Sequence, residues 1–424
     1  MSPTAWIPPP GPGIDAYRVV VGDRTIDELF RLAAPMKGKR LQHVNATRAG
    51  GGVAEILNRA VPLMAELGLD VSWDVLRGED EFYAVTKKFH NAIQGDPIEI
   101  TSTDLEIFLK WNRINEKEID LHGDFVIIHD PQPCAMIETK RATSRRPSGP
   151  GQKFIWRCHI DAANPNRRLW NFLSTYIQRY DGSLFSAPQF TGVLPIPQYL
   201  VAPSIDPLSD KNKPLTEEQV SAVCERHGID MKRPILTQVS RYDRFKDPVG
   251  VVETYRMVKQ TNDCQLVLAG GGASDDPEGM EVLAEVREAA GNDPDIHVLM
   301  LPNVAHIEIN ALQRASTVVI QKSLKEGFGL TVSEALWKGK PVIGGATGGI
   351  PLQILNGVNG YLVNSPEGAA FRTRFLLNHP EVAQEMGRRG IEQVRQNFLT
   401  TRKLRDYLMI MNATTTSDRT ITLK

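Results

Sequence analysis

Residues 317–350 read TVVIQKSLKEGFGLTVSEALWKGKPVIGGATGGI. The apolar run Val318, Val319, Ile320 ends in Lys322 and Ser323, gives way to Glu326-Gly-Phe-Gly329, and from Leu330 to Trp337 takes on helical spacing. That order is a strand, a glycine-rich turn and a helix. Such a turn aims free backbone N–H groups and the positive end of a helix dipole at one point, which suits a phosphate. A bare strand-glycine-helix unit is also a common packing solution in α/β sheets, and Glu334 near the first helical turn has a plain alternative as a dipole-stabilised surface glutamate. Glu326 and Glu334 bracket the turn, however, and a carboxylate cannot ligate a phosphate. Both acids suit hydroxyl groups instead, and phosphate together with polyol hydroxyls describes a nucleotide sugar.

On either side of this stretch the same alternation continues. Strands are expected at 235–240, 265–269, 296–301, 318–321, 342–344 and 361–363, with helical spacing between most of them, as in a parallel doubly wound sheet. The first of these strands runs into Arg241-Tyr-Asp-Arg-Phe-Lys246, and Asp247-Pro248 then supplies a helix N-cap and first turn. Arg241 at the strand end and Lys246 before the helix form two cations suited to a diphosphate, whereas Arg244 reads as part of a solvated loop. Ala269-Gly-Gly-Gly272 with Asp275 and Asp276 is another glycine-rich strand exit, and no further residue completes a metal ligand set there.

N-terminal to that region, residues 40–46 read as a strand and Thr47-Arg-Ala-Gly-Gly-Gly52 as a turn into a helix with Val53, Ile56, Leu57, Ala60, Val61, Met64 and Leu67 on one face. Pro62 is expected to kink that helix and Gly68 to end it. Gly50-Gly51-Gly52 permits close approach of backbone to a ligand, although a tight turn uses the same residues and no dinucleotide fingerprint is present. Two further strands, 124–128 and 153–157, end in His129-Asp130-Pro-Gln132 and Cys158-His159-Ile-Asp161. Ligands of open α/β sheets bind at carboxyl ends of strands, which favours His129 and His159 over His90 and His227 on helices. A loop capped locally by His and Asp competes with the ligand role, more evenly at His129 than at His159.

At 424 residues the chain exceeds one core, and two domains of about 200 residues are expected. The expected organisation is a loose Pro- and Gly-rich extension over 1–13, a first domain over 14–205, a second over 206–395, a helix over 396–411 returning to the first domain, and a flexible tail over 412–424. Lys plus Arg is 49 against 50 for Asp plus Glu, so no global field favours nucleic acid or an acidic membrane. The cysteines Cys134, Cys158, Cys224 and Cys264 match no zinc spacing and suit reduced thiols in a cytoplasmic protein. Residues 1–13 show neither a basic n-region nor an apolar h-region and no run approaches 18 apolar residues, so neither secretion nor membrane spanning is expected.

Together, Arg241-x4-Lys246 and Glu326-x7-Glu334, with the Gly50–Gly52 loop, His159 and Gly348-Gly349-Ile350, resemble the retaining family-four glycosyltransferases. The segments HVNATRAGGGVAEIL, TKKFHNAIQG, IIHDPQP, WRCHIDAANPN, APSIDPLSDKN and NALQRAS are similar to the trehalose glycosyltransferring synthases within that group, over roughly residues 15–411. This resemblance implies an α/β GT-B fold, two Rossmann-like doubly wound domains facing a central cleft. It implies glucose transfer from an NDP-glucose (NDP, nucleoside diphosphate) to free glucose, forming α,α-trehalose with retention. Carried over residue by residue, it implies that Arg241 and Lys246 neutralise the diphosphate, aided by the backbone N–H groups of Gly329 and Leu330, and that Glu334 holds the ribose. Glu326 and the Gly348-Gly349 backbone would hold the donor hexose, His159 its 6-hydroxyl, and Gly51 and Gly52 would cover the phosphates. Asp130, Gln132 and Asp161 are the acceptor candidates. No tightly bound cofactor or protein metal site is implied, Mg²⁺ accompanying the nucleotide at most, and a homodimer is expected on the resemblance alone. The competing readings are a retaining trehalose phosphorylase, in which inorganic phosphate takes the place of the nucleotide, and a sugar-binding or regulatory protein on a transferase scaffold.

Overall fold

Short strands that are buried along their whole length form only in sheets covered on both faces, and this chain has several: Phe125–His129 and Ile235–Val239 are buried at every position. A computed structural model of the chain describes residues 8, 11–48, 52–138, 151–271, 277–302 and 304–415. The chain divides into two compact units, Met1–Pro203 with Thr400–Lys424, and Ser204–Leu399.

The first unit holds β1 (Arg40–Asn45), β2 (Asp70–Val75), β3 (Phe125–His129), β4 (Lys153–Arg157), β5 (Gly182–Phe185) and β6 (Gln198–Leu200). All pair in parallel in the order β2-β1-β3-β4-β5-β6. Three of these strands, β2, β5 and β6, are additions to those expected from the sequence. Strand order reverses between β1 and β3, so the loops leaving their carboxyl ends diverge and open a crevice there. Helix Gly52–Glu66 continues through Pro62 and buries Ala54, Leu57 and Val61 against Trp73 and Val75 of β2.

The second unit holds β7 (Ile235–Val239), β8 (Gln265–Gly270), β9 (Ile296–Met300), β10 (Val318–Gln321), β11 (Val342–Gly345) and β12 (Gly360–Val363), parallel in the order β12-β11-β10-β7-β8-β9. Here the reversal falls between β7 and β10, whose register pairs Val319 with Thr237. Leu236, Val251, Tyr255, Leu266, Leu268 and Ile320 lie in the core on one face of this sheet.

One expectation about the chain end is corrected. The last helix spans Thr400–Thr415, so residues 412–415 of the supposed tail are helical. Asn412 Nδ2 donates to the carbonyls of Leu408 at 2.8 Å and Leu32 at 2.9 Å, and the hydroxyls of Thr414 and Thr415 donate back to the preceding turn. Such local bonds let polar residues continue a helix that composition alone would end. Residues 416–424, Gly50, Gly51, Gly272, Asp275 and Asp276 lie outside the described residues. Among the described residues no helix is long and apolar enough to cross a membrane.

Candidate active site

In the second unit the two strands at the reversal send out the segments that carry both sequence signatures. The exit of β7, residues 240–247, is shaped by Asp243, whose carboxylate accepts from Phe245 N–H at 2.8 Å and holds the turn Arg244–Lys246. Gln238 Nε2 donates to Lys246 O at 2.7 Å, which fixes where that turn stands on the strand. Asp247 takes a left-handed conformation at φ 52° and caps helix Pro248–Lys259 by accepting from Gly250 N–H.

The exit of β10 lies directly alongside and is joined to it at three points. Leu324 N–H donates to Phe245 O at 2.7 Å. Lys322 pairs with Asp247. Lys246 Nζ donates to Glu326 Oε2 at 2.7 Å, where Ser323 Oγ also donates at 3.3 Å. Lys246 and Glu326 therefore meet as a charge-assisted pair, with Glu326 buried. Arg241 stands apart from that pair, exposed and 3.3 Å from Asp243.

Glycines decide how closely the next loop approaches. Gly329 begins helix Leu330–Trp337 at φ 81°. A Cβ on Gly348, at φ 52°, would lie 1.6 Å from Glu326 O, and one on Gly349 would lie 2.8 Å from Phe328 Cα. The 348–349 backbone thus rests directly on the Glu326 turn, with Gly349 N–H donating to Gly327 O at 3.2 Å. Gln353, fully buried, ties the same turn by donating to Phe328 O at 2.6 Å and accepting from Ser333 Oγ at 2.6 Å.

Glu334 is not the surface glutamate its helical position allows. Its side chain is 1% exposed, and neither carboxylate oxygen has a hydrogen-bond partner. Lys211 Nζ stands 3.6 Å from Oε1, an ion-pair distance too long for a hydrogen bond. Both residues line a cavity of about 180 Å³ with Arg241, Gly270, His306 and Thr331. A buried carboxylate with unmet acceptor capacity at a cavity wall is suited to hydroxyl donors from a ligand.

In the first unit, His129 ends β3 and its side chain does not cap the local loop. Its Nε2 lies 3.0 Å from His43 Nδ1 of β1, and its Nδ1 lies 3.0 Å from His159 Nε2 beyond β4. Parallel register brings them together, since β3 lies between β1 and β4 with His129 opposite Arg157. Burial pushes all three imidazoles down, His43 to about 3 and the other two well below their ordinary value, with nearby Lys403 and Arg157 adding to the effect. The rings are neutral at physiological pH.

Asp130 takes φ 64° and accepts from His159 N–H at 2.7 Å, while Trp156 Nε1 donates to Asp130 O at 2.9 Å. Burial raises its carboxyl to about 7, against the opposing pull of His159 N–H and the Arg157 cation. Gln132 is held through its backbone carbonyl by Asn112 Nδ2 at 3.0 Å, and its side-chain Oε1 is buried without a partner. Asp161 Oδ1 accepts from Ala163 N–H at 3.0 Å, a local turn bond. Gly52 begins its helix and is exposed, whereas Gly51 falls outside the described residues. Lys211, Lys322, Gln353 and His43 were not singled out in the sequence, since each reaches its partner through strand or loop adjacency.

The fold and the signatures at the β7/β10 reversal define a GT-B glycosyltransferase. Residues 43–192 match the family model described as trehalose synthase, N-terminal domain, and residues 222–393 match glycosyl transferases group 1. An α,α-trehalose-phosphate synthase (UDP-forming) from Burkholderia xenovorans shares the fold at a TM-score of 0.70 and 14% identity, over 88% of this chain and 100% of that one. In sequence the chain is 46% identical over 401 residues to a trehalose synthase of Rubrobacter xylanophilus, covering 93% of this chain and 95% of the relative. It is 43% identical over 410 residues to a trehalose synthase of Pyrococcus horikoshii, covering 94% and 96%. The chain belongs to the trehalose synthase family and is a trehalose-related glycosyltransferase.

Proposed function

We propose that this protein is a retaining glucosyltransferase that moves glucose reversibly between an NDP-glucose and free glucose, forming α,α-trehalose and NDP. The observation that carries this reading is Glu334. A buried carboxylate whose two oxygens accept no hydrogen bond, with Lys211 at ion-pair distance only, costs about 1 to 3 kcal/mol unless donors meet it. The adjacent hydroxyls of a ribose supply two donors at the spacing of one carboxylate, whereas inorganic phosphate at the same place would be repelled.

Arg241 and Lys246 neutralise the diphosphate in this scheme, with the N–H groups of Gly329 and Leu330 contributing as free amides of a helix N-terminus. Glu326, whose charge is already oriented by Lys246 and Ser323, serves the donor hexose with the Gly348-Gly349 backbone, and His159 serves its 6-hydroxyl. Gly51 and Gly52 cover the phosphates. Asp130, Gln132 and Asp161 serve the acceptor glucose. Breaking the anomeric C–O bond leaves positive charge on the sugar and negative charge on the diphosphate, so cations at the leaving group act where charge develops. The departing phosphate oxygen takes the acceptor's proton on the same face, which accounts for retention without a covalent intermediate. Mg²⁺ travels with the nucleotide and needs no protein ligand set.

Product analysis with glucose and UDP-, ADP- or GDP-glucose tests this directly, with trehalose as the expected product from at least one donor. Titration calorimetry should register UDP or ADP binding in the micromolar to millimolar range. Failure to bind any nucleoside diphosphate, with glucose 1-phosphate released from trehalose and inorganic phosphate, would establish a phosphorylase instead. Sugar binding without turnover of any donor would indicate a regulatory protein. Light scattering at micromolar concentration tests the homodimer, and cell fractionation the cytoplasmic location.

A further inference from the structure

The chain of three imidazoles has a far end that the proposed chemistry does not use. His43 Nε2 is sealed from solvent and has no hydrogen-bond partner. It lines a cavity of about 10 Å³ together with Lys403, Tyr407 and the apolar Leu57, Met64 and Leu404. Lys403 Nζ and the Tyr407 hydroxyl are likewise buried without a partner. They sit four residues apart on helix Thr400–Thr415, hence on one face of it, and the Tyr407 ring centroid is 6.5 Å from that of His43. A volume near 10 Å³ is about one water molecule and too small for a larger ion, and three polar groups are enough to hold that water.

With all three rings neutral, each ring-to-ring contact needs one N–H and one lone pair, so the proton position on one ring fixes the other two. Two arrangements remain. If His43 carries its proton on Nε2, that N–H is one more donor in a cavity shared with Lys403, which as a neutral amine brings two donors and one lone pair, and with the Tyr407 hydroxyl, which both donates and accepts. Arg157, whose Nε and Nη1 also lack partners, adds only donors to the same cluster. If His43 carries its proton on Nδ1 instead, its Nε2 lone pair meets the excess donors. His43 Nδ1–H then donates to His129 Nε2, and His129 Nδ1–H donates to His159 Nε2. His159 is left protonated on Nδ1.

We propose that Lys403 and Tyr407 are positioning residues which, directly or through one water, hold the His43 Nε2 lone pair and so set the polarity of the histidine chain, making His159 Nδ1–H a fixed hydrogen-bond donor to the hexose 6-hydroxyl. The last step rests on the role assigned to His159 above; the polarity of the chain does not. The device gives directionality without charge, because a neutral imidazole free of such a chain interchanges its two tautomers, and one locked in place does not.

Histidine-selective ¹⁵N labelling of the full chain and long-range ¹⁵N–¹H spectra read the tautomers directly, with His159→Gln used for assignment. All three rings should be protonated on Nδ1 in the wild type. Lys403→Met and the milder Tyr407→Phe should each shift His159 toward the Nε2-protonated form. A wild-type His159 protonated on Nε2, or a His159 tautomer unmoved by both substitutions, overturns the proposal. Kinetics then separate the two readings: NDP-glucose should lose about tenfold of its kcat/KM advantage over NDP-6-deoxyglucose in Lys403→Met. If His159→Ala keeps the full wild-type preference for the 6-hydroxyl, the role of His159 fails while the tautomer result stands on its own.

Discussion

Both units are parallel six-stranded sheets, yet their strand reversals carry opposite electrostatics. At β7/β10 the groups are charged and matched, Lys246 with Glu326, Lys322 with Asp247 and Arg241 with Asp243. At β1/β3 the groups are imidazoles that burial keeps neutral and that satisfy one another through ring nitrogens. The difference follows from which partners the strand exits provide. A carboxylate and an ammonium 2.7 Å apart form a charge-assisted pair, whereas burial, with the Lys403 and Arg157 cations close by, keeps the imidazoles neutral. The first arrangement suits charge that develops during a reaction; the second suits directed hydrogen bonds to a neutral sugar.

The largest effect should come from packing at the charged reversal. Gly348→Ala needs a left-handed alanine and a Cβ within 1.6 Å of Glu326 O, so it should cost about 3 kcal/mol or more by denaturant unfolding. A loss under about 1 kcal/mol would show that the loop does not rest on the Glu326 turn. Lys246→Met comes next, because it strands a buried carboxylate: a destabilisation of about 2 to 4 kcal/mol, partly recovered by adding Glu326→Gln. His129→Gln, which breaks a neutral chain, should cost only about 1 to 2 kcal/mol. Equal losses at the two sites would remove the electrostatic contrast.

The two glutamates should separate by function. Glu326→Gln should cut saturated turnover by about 10²-fold while leaving NDP affinity nearly intact. Glu334→Gln should weaken NDP binding by about 1 to 3 kcal/mol with a smaller effect on turnover. If Glu326→Gln weakens binding as much as Glu334→Gln and keeps wild-type turnover, the division between hexose and ribose is wrong.

An effect as small as that of His129→Gln, and confined to high pH, belongs to Asp130. Burial raises its carboxyl from an ordinary 3.8 to about 7, so folding favours the protonated form. The associated stability is fully present below about pH 4 and is lost as pH rises through about 7. Asp130→Asn keeps an oxygen for His159 N–H without this titration, and after discounting for partial exposure it should stabilise the protein by about 1 to 2 kcal/mol at pH 8. Melting temperatures of the two proteins that run parallel from pH 4 to 8 would refute the assignment.

Local chemistry made much of the second unit legible. All six of its strands coincide with apolar runs legible in the sequence, and the cap at Asp247-Pro248 forms as its residue types predict. In the first unit β2, β5 and β6 are not marked by apolar runs of that kind. Asp70–Val75 does carry the polar–apolar alternation of a half-buried strand, so that signal was present, whereas Gly182–Phe185 and Gln198–Leu200 are too short for periodicity to register. Residues 412–415 read as tail because threonine and asparagine are poor helix formers, and the tertiary partner Leu32 O, which accepts from Asn412, is remote in sequence.

By itself the sequence determined the α/β class, the glycine-rich turn and the two spaced signatures, because periodicity and turn chemistry act over a few neighbouring residues. It named Glu326 and Lys246 but not their contact, 80 residues apart in the chain. Only the tertiary structure decided that β7 lies beside β10, that Glu334 and Lys211 line one cavity, and that His43, His129 and His159 join through their ring nitrogens beside a small cavity that Lys403 also lines. The reason is physical: the pattern of side chains along a strand fixes which faces are buried, while strand order, set by the packing of the whole sheet, fixes which distant residues meet at its edge.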